Sequence, residues 1–191
     1  MNFSLNVQDT TLDPNKSMFY KFSAKGVIEY VNEYFIEFTG FQAFEMLGKN
    51  ISEIRHPDIP KSIYNLIEER FIAKKNSHFL MKDTTKSGRD FWYVSDFDIK
   101  TDAEGNVEHI VSLRKPAPLS AVAVIQPFYT KLVKIEENAG MDVAKKYLLG
   151  FLEEKQMSFS QYTNSLLVKT VETNSDNFLV KSKKKKSFWR W

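Results

Sequence analysis

Apolar positions recur along this chain with more than one spacing. Near the start, the runs MFYKFS and VIEYV place aromatic and β-branched residues on either side of SAKG, where Gly26 supplies the positive φ of a tight turn, and this predicts a β-hairpin. From Asn32 the spacing lengthens. Phe35, Phe38 and, across Gly40, Phe41 suit a short helix capped by Asn32 and ended by the glycine. QAFEMLGK repeats that pattern and also stops at a glycine, whereas NISEIRHPD has no period and reads as an irregular or single-turn segment. Pro60 fits the first position of the next helix, because its fixed φ is helical and its missing N–H would have no partner there. Ile63, Leu66, Ile67 and Phe71 form the apolar stripe of that helix.

Three runs with strand character follow, HFLMKDTT, RDFWYVSDFDIK and VEHIVSLRK, separated by the turn-forming KSG and DAEGN. In the middle run Phe91, Tyr93, Ser95 and Phe97 share one face, opposite Trp92, Val94 and Asp96, which predicts an antiparallel strand with two unlike faces. From Ser120 the period is helical again. Ala121, Ile125, Phe128, Leu132 and Ile135 form a seam containing Pro127, a residue that either kinks the helix or marks its start. A second amphipathic segment runs from Met141 to Lys155, with Val143, Tyr147, Leu148, Phe151 and Leu152 on one face; a weaker third covers Ser158 to Val171. The expected organisation is an arm over 1–17, one α+β domain over 18–118, a helical extension over 119–172, and a linker and tail over 173–191.

Composition narrows the chemistry. The sequence has no cysteine, which removes thiolate catalysis, disulfides and Cys-ligated metal sites, and its three histidines at 56, 78 and 109 are scattered, so no metal site is expected. No apolar run approaches the ~20 residues of a membrane-spanning helix, and the N-terminus lacks signal-peptide character; the expected location is cytoplasmic. The net charge of +3 is unevenly placed, because residues 181–191 carry Lys181, Lys183 to Lys186 and Arg190 without an acid and the rest of the chain is mildly acidic. Lysines followed by Phe188, Trp189 and Trp191 suit an anionic membrane surface or a docking peptide, and no specific nucleic acid is expected.

One stretch concentrates polar chemistry. In EIRHPDIPK, Arg55, His56 and Asp58 stand beside two prolines. Neighbouring residues on a tight segment seldom converge on one substrate atom, and no nucleophile elbow or phosphate loop accompanies them, so no enzyme is expected. Taken alone, Asp58 reads as a cap for the helix after Pro60.

Set in its surroundings, the segment belongs to a larger pattern. GVIEYVNEYFIEFTGFQAFEMLGKNISEIRHPDIPK resembles the first half of a PAS sensor domain of the bacterial aerotaxis and energy-taxis receptor type, through Tyr30-Val31-Asn32, FTGF at 38–41, Glu45 with LGK at 47–49, and RHPDIPK at 55–61. KSGRDFWYV and GNVEHIVSLR resemble later strands of the same domains. The chain departs from the family pattern at Ser77, Phe79 and Asp83 on the strand after the long helix, and at Glu68 within that helix. The resemblance implies a five-stranded antiparallel sheet with short helices on one face, enclosing a pocket that holds FAD through Asn32, Arg55, His56 and Asp58. It implies a sensor of redox or energy status that signals to a separate membrane chemoreceptor. The alternatives are a PAS module holding haem or another small ligand, and a cofactor-free interaction adaptor. The helices after residue 118 either form a homodimer or receptor contact or cover the domain's own sheet.

Overall fold

A computed structural model of the protein describes residues 11–168. Residues 1–10 of the expected arm, 169–172 of the expected helical extension, and the expected linker and tail over 173–191 lie outside the described residues. Strands β1 (Met18–Ser23) and β2 (Ile28–Val31) form the hairpin, with Gly26 at φ 80°. Helices α1 (Glu33–Thr39) and α2 (Ala43–Met46), a single 3-10 turn at Ile51–Ile54, and α3 (Lys61–Ile72) follow. Strands β3 (Ser77–Thr84), β4 (Asp90–Thr101) and β5 (Val107–Pro116) complete an all-antiparallel sheet of order β2-β1-β5-β4-β3. This is the α+β architecture the alternation of apolar positions predicts.

Strand alternation divides the sheet into two working faces. On one, Phe91 meets Phe38 of α1 with ring centroids 5.0 Å apart, and Phe97 meets Phe71 of α3 at 5.1 Å, so α1 and α3 close over this side. Ser95 and Ser112 on β4 and β5 are fully buried and bond each other at 2.7 Å, which leaves neither hydroxyl unpaired in the core.

The opposite face carries Trp92, and its partner comes from the C-terminal extension. Helix α4 (Leu119–Ala139) places Tyr129 6.2 Å from Trp92, and the Tyr129 hydroxyl donates to the Leu80 carbonyl of edge strand β3 at 2.9 Å. Ala121, Val122, Ile125 and Leu132 of α4 are buried in the same hydrophobic cluster as the sheet. Of the two roles open to the seam, the structure therefore shows intramolecular packing. Pro127 lies inside α4, neither starting nor ending it. It is tolerated because Pro127 and Ala123, whose carbonyl loses its partner, both lie on the exposed side.

Helix α5 (Met141–Lys155) buries Ala144, Leu148 and Leu152, while Val143 and Tyr147 of the predicted face are exposed. Tyr147 and Phe151 lie at the edge of this stripe against Phe128 of α4, with ring centroids 6.4 and 4.5 Å from it. Residues 159–168 form α6, in which Phe159 stacks on Phe79 at 5.4 Å and on Tyr129 at 6.4 Å, joining the extension to β3.

Candidate ligand cavity

Between α1–α3 and the sheet lies a cavity of two chambers. The inner one, about 50 Å³, is lined by Tyr20, Tyr64, Phe71, Met81, Tyr93 and Phe97, among others. That space suits a few waters. The outer one, about 310 Å³, has Phe35, Phe41, Met46 and Phe91 as apolar wall and Lys49 and His56 as polar wall, a size at the lower end for small-molecule pockets. Ile54, Arg55, Asp83 and Arg114 line both chambers.

Two of these shared residues form the cavity's charged floor. Arg114, only 2% exposed, pairs through Nη1 with Asp83 Oδ2 at 2.7 Å, and the Tyr93 hydroxyl donates to the same oxygen at 3.0 Å. The guanidinium lies over the Tyr93 and Tyr20 rings, 4.2 and 4.5 Å from their centroids. Burial opposes its charge, but Tyr93 and Asp83 outweigh that and hold the Arg114 pKa above its ordinary value. Burial likewise pushes the Tyr93 hydroxyl well up, so it remains a donor. Arg114 Nε is buried and meets no acceptor among the described residues, an orphan donor in the wall of the cavity.

The second arginine is held from α3. Arg55 pairs with Glu68 and lies over the Tyr64 ring, 4.7 Å from its centroid. The Tyr64 oxygen accepts the His56 backbone N–H at 2.9 Å, fastening the loop to α3. Burial, and secondarily the Asp83 carboxylate, raises the Tyr64 pKa far above the ordinary tyrosine value.

His56, Asp58 and Asp90 offer ligand atoms within 4.8 Å of one another, the spacing of a metal site. Lys82 already supplies the cation: its Nζ is 2.7 Å from both Asp58 Oδ2 and Asp90 Oδ2. His56 Nδ1 accepts the Asp58 N–H at 3.0 Å, which places the ring proton of a neutral imidazole on Nε2, facing Asp90 Oδ1 at 3.4 Å. Burial works against the charged forms, yet the hydrogen bonds of Lys82 to both carboxylates leave the Lys82 pKa raised and the Asp90 pKa lowered. A depressed carboxylate contributes stability above its unfolded range and loses it as pH falls through the folded value, while a raised lysine loses its contribution only as pH rises through the folded value. We therefore expect the urea midpoint to fall on acidification below about pH 4 and this fall to be shallower in Lys82→Met, whose Asp90 has lost its main partner. Identical acid limbs in the two proteins would remove Lys82 as the cause.

Of the four residues expected to hold a ligand, Arg55 and His56 line the outer chamber. Asn32 and Asp58 are engaged elsewhere. Asn32 Oδ1 accepts from Phe35 N and Phe19 N and its amide donates to Ser17 O, so it caps α1 and pins the hairpin to it. Asp58 lies outside the lining of both chambers and is committed to Lys82. Nor does Asp58 cap α3. Pro60 occupies the N-cap position, one residue before the expected place, and the free N–H groups of Lys61 and Ser62 donate to the Glu136 carboxylate of α4 at 2.8 and 2.7 Å. A carboxylate from 75 residues away does the capping because α4 crosses the sheet edge to reach the α3 N-terminus.

The family model for the PAS domain matches residues 16–114, the sheet, the three helices and this cavity. The chain belongs to the PAS domain family. The aerotaxis receptor of Escherichia coli (strain K12) is 24% identical over 127 residues, covering 65% of this chain and 24% of the receptor, so the match spans about a quarter of that relative's length. A light-oxygen-voltage domain structure described with a flavin analogue shares the fold at TM-score 0.52 and 19% identity, covering 61% of this chain and 89% of that one. The light-state structure of the photoreceptor Aureochrome1 LOV gives TM-score 0.49 and 19% identity, covering 63% of this chain and 91% of that one.

The PAS cavity contains functional candidates that sequence reasoning passed over: Arg114, Tyr20, Tyr64 and Tyr93. Two of the departures from the family pattern were the available signal. Asp83 and Glu68 are the carboxylates that neutralise Arg114 and Arg55, so unfamiliar acids on cavity-facing elements pointed to buried bases opposite them.

Proposed function

We propose that this PAS domain senses redox or energy status through a flavin held in the outer chamber, and passes the signal through its helical extension to a membrane chemoreceptor. The observation carrying this reading is the donor set around an aromatic chamber: Phe35, Phe41 and Phe91 as walls for a flat ring, the orphan Arg114 Nε as donor, Arg55 and Lys49 for anionic oxygens, and His56 as part of the chamber wall. These residues fit a flavin. A bound flavin would supply two-electron redox chemistry. The chain's own residues would carry the consequence outward. Glu68 of α3 holds Arg55, while Asn65 and Glu69 of the same helix hold Lys145 of α5, and the α3 N-terminus is held by Glu136 of α4. A shift in how Arg55 is engaged would bias α3 and with it both extension helices.

In this reading the chain catalyses nothing, since both His56 nitrogens are already engaged. The relationship to an aerotaxis receptor supports a taxis role, and the absence of a membrane-crossing helix among the described residues fits a partner that spans the membrane. One observation favours a cofactor-free adaptor instead: both cavity arginines already have carboxylate partners within the chain. Purified protein distinguishes the two. We expect a yellow protein with a flavin spectrum bleached by dithionite, and loss of the chromophore in Arg55→Ala or His56→Ala. Colourless protein yielding neither flavin nor haem on extraction supports the adaptor; full chromophore in both variants overturns the assignment of those residues.

A further inference from the structure

Helix α4 covers only part of the sheet's outer face. Along β4 the outward residues Trp92 and Val94 are buried, whereas Asp96 and Asp98 further on are half-exposed. A concavity of about 540 Å³ lies over this uncovered part. Strand register builds its floor: Leu113 of β5 stands between Phe19 of β1 and Asp96, and Val111 stands beside Asp98. Phe19, Val111 and Leu113 are half-exposed, and Phe19 stacks on Tyr30, itself 46% exposed, with ring centroids 5.5 Å apart. His78 of β3 closes one side, its Nε2 3.1 Å from the Ser160 carbonyl oxygen of α6. Among the described residues, the lining holds two carboxylates and no lysine or arginine. Asp96 pairs with Lys115, and Asp98 with Lys100 and Asn76, all of them outward-reaching contacts on the exposed rim. The four side chains of the two ion pairs are 41–58% exposed, and pairs so exposed contribute little and exchange partners readily.

We propose that residues 181–191 of the same chain dock in this concavity and complete the cover that α4 begins. Complementarity selects the occupant. Both ends of the chain lie outside the described residues, but 1–10 carries Asp9 and no cation, whereas 181–191 joins Lys181, Lys183 to Lys186 and Arg190 to Phe188, Trp189 and Trp191. An acidic wall over an apolar, aromatic floor matches the second segment and not the first. The reach is sufficient. Ser160 is in the lining, and the described part of α6 ends at residue 168, about 12 Å further along the helix. Residues 169–180 can span up to about 40 Å when extended, more than the way back. Tethering over such a length holds the segment near the face at about millimolar effective concentration, so a contact of modest intrinsic strength is filled. The inference is independent of what occupies the cavity between α1–α3 and the sheet. Its consequence is that the half of the outer face left bare by α4 is closed to other partners while the segment is in place.

The test compares amide NMR spectra of the full chain with those of its Trp189→Ala, Trp191→Ala double variant, at two protein concentrations about tenfold apart. Expected are shifted signals at Phe19, Asp96, Asp98, Val111 and Leu113, by the same amount at both concentrations. A second variant approaches from the face. Asp96→Lys with Asp98→Lys reverses the charge at exposed positions, and the accessible fraction of tryptophan emission in acrylamide quenching should rise about twofold or more, while Trp92, 9% exposed, stays protected. Thermal unfolding checks that this variant folds; if it does not, the spectra decide alone, because the double alanine variant leaves the described residues untouched. Unshifted signals at all five residues overturn the proposal, as does unchanged quenching in a folded charge-reversed variant. Shifts that grow with concentration overturn it too, by assigning the segment to a second copy of the chain. Binding of the full chain to phosphatidylserine vesicles that is lost in the double alanine variant, with the five amides unshifted, assigns the segment to a membrane instead.

Discussion

Replacing Asp83 with alanine destabilises the chain by about 3–5 kcal/mol, read as a lowered urea midpoint at unchanged slope. The reason is what the substitution leaves behind. Arg114 is 2% exposed, and without the carboxylate 2.7 Å away its charge is left buried without its counter-ion. The Tyr93 hydroxyl loses its acceptor in the same step. The double replacement Asp83→Leu with Arg114→Met should recover most of the loss, because two apolar groups of similar size remove the unpaired charge along with the pair. A cost below about 1 kcal/mol for Asp83→Ala would mean that water in the cavity replaces the carboxylate as the partner of Arg114.

Ile125→Ala is expected to cost about 2–5 kcal/mol, whereas Val124→Ala one position away changes stability by no more than about 0.5 kcal/mol. Ile125 is 0% exposed in the cluster that α4 shares with the sheet, and Val124 is 48% exposed. Unfolding at several protein concentrations separates this packing from the other use of the seam. If Ile125 were at a dimer contact, the midpoint would rise with concentration and Ile125→Ala would abolish that dependence. A concentration-independent loss is the result expected for a helix docked on its own sheet.

Local elements of this PAS domain were open to reading because their signals are local. Asn32 and Gly40 bound α1 through a side-chain cap and a positive φ, neither of which depends on distant residues. Strand alternation in β4 separated Phe91 and Tyr93 from Trp92 for the same reason. Misreadings arose where a neighbour in space replaced a neighbour in sequence. Asp58 reads as a cap for α3, but the helix begins at Lys61 with Pro60 as its N-cap, and Lys82 on β3 holds the Asp58 carboxylate with a charge-assisted bond at 2.7 Å. Val143 and Tyr147 fit a periodic face of α5 as well as Ala144 does, and only the packed structure shows that Ala144 is the buried one.

What the sequence determined by itself is the set of strands and helices, the antiparallel sheet they imply, and the RHPD segment as a concentration of polar groups in an apolar setting. These follow from periodicity, turn chemistry and residue type along short stretches. The tertiary structure alone decided which of those polar groups face the cavity. Arg114 and Asp83 are 31 positions apart on β5 and β3, and they meet only because β4 lies between those strands and turns both side chains to one face. Arg55 meets Glu68, and Glu136 meets the start of α3, through packing of the same long-range kind. A pairing set by sheet order and helix docking leaves no periodic trace in the chain, because its partners are brought together by burial of the surfaces between them.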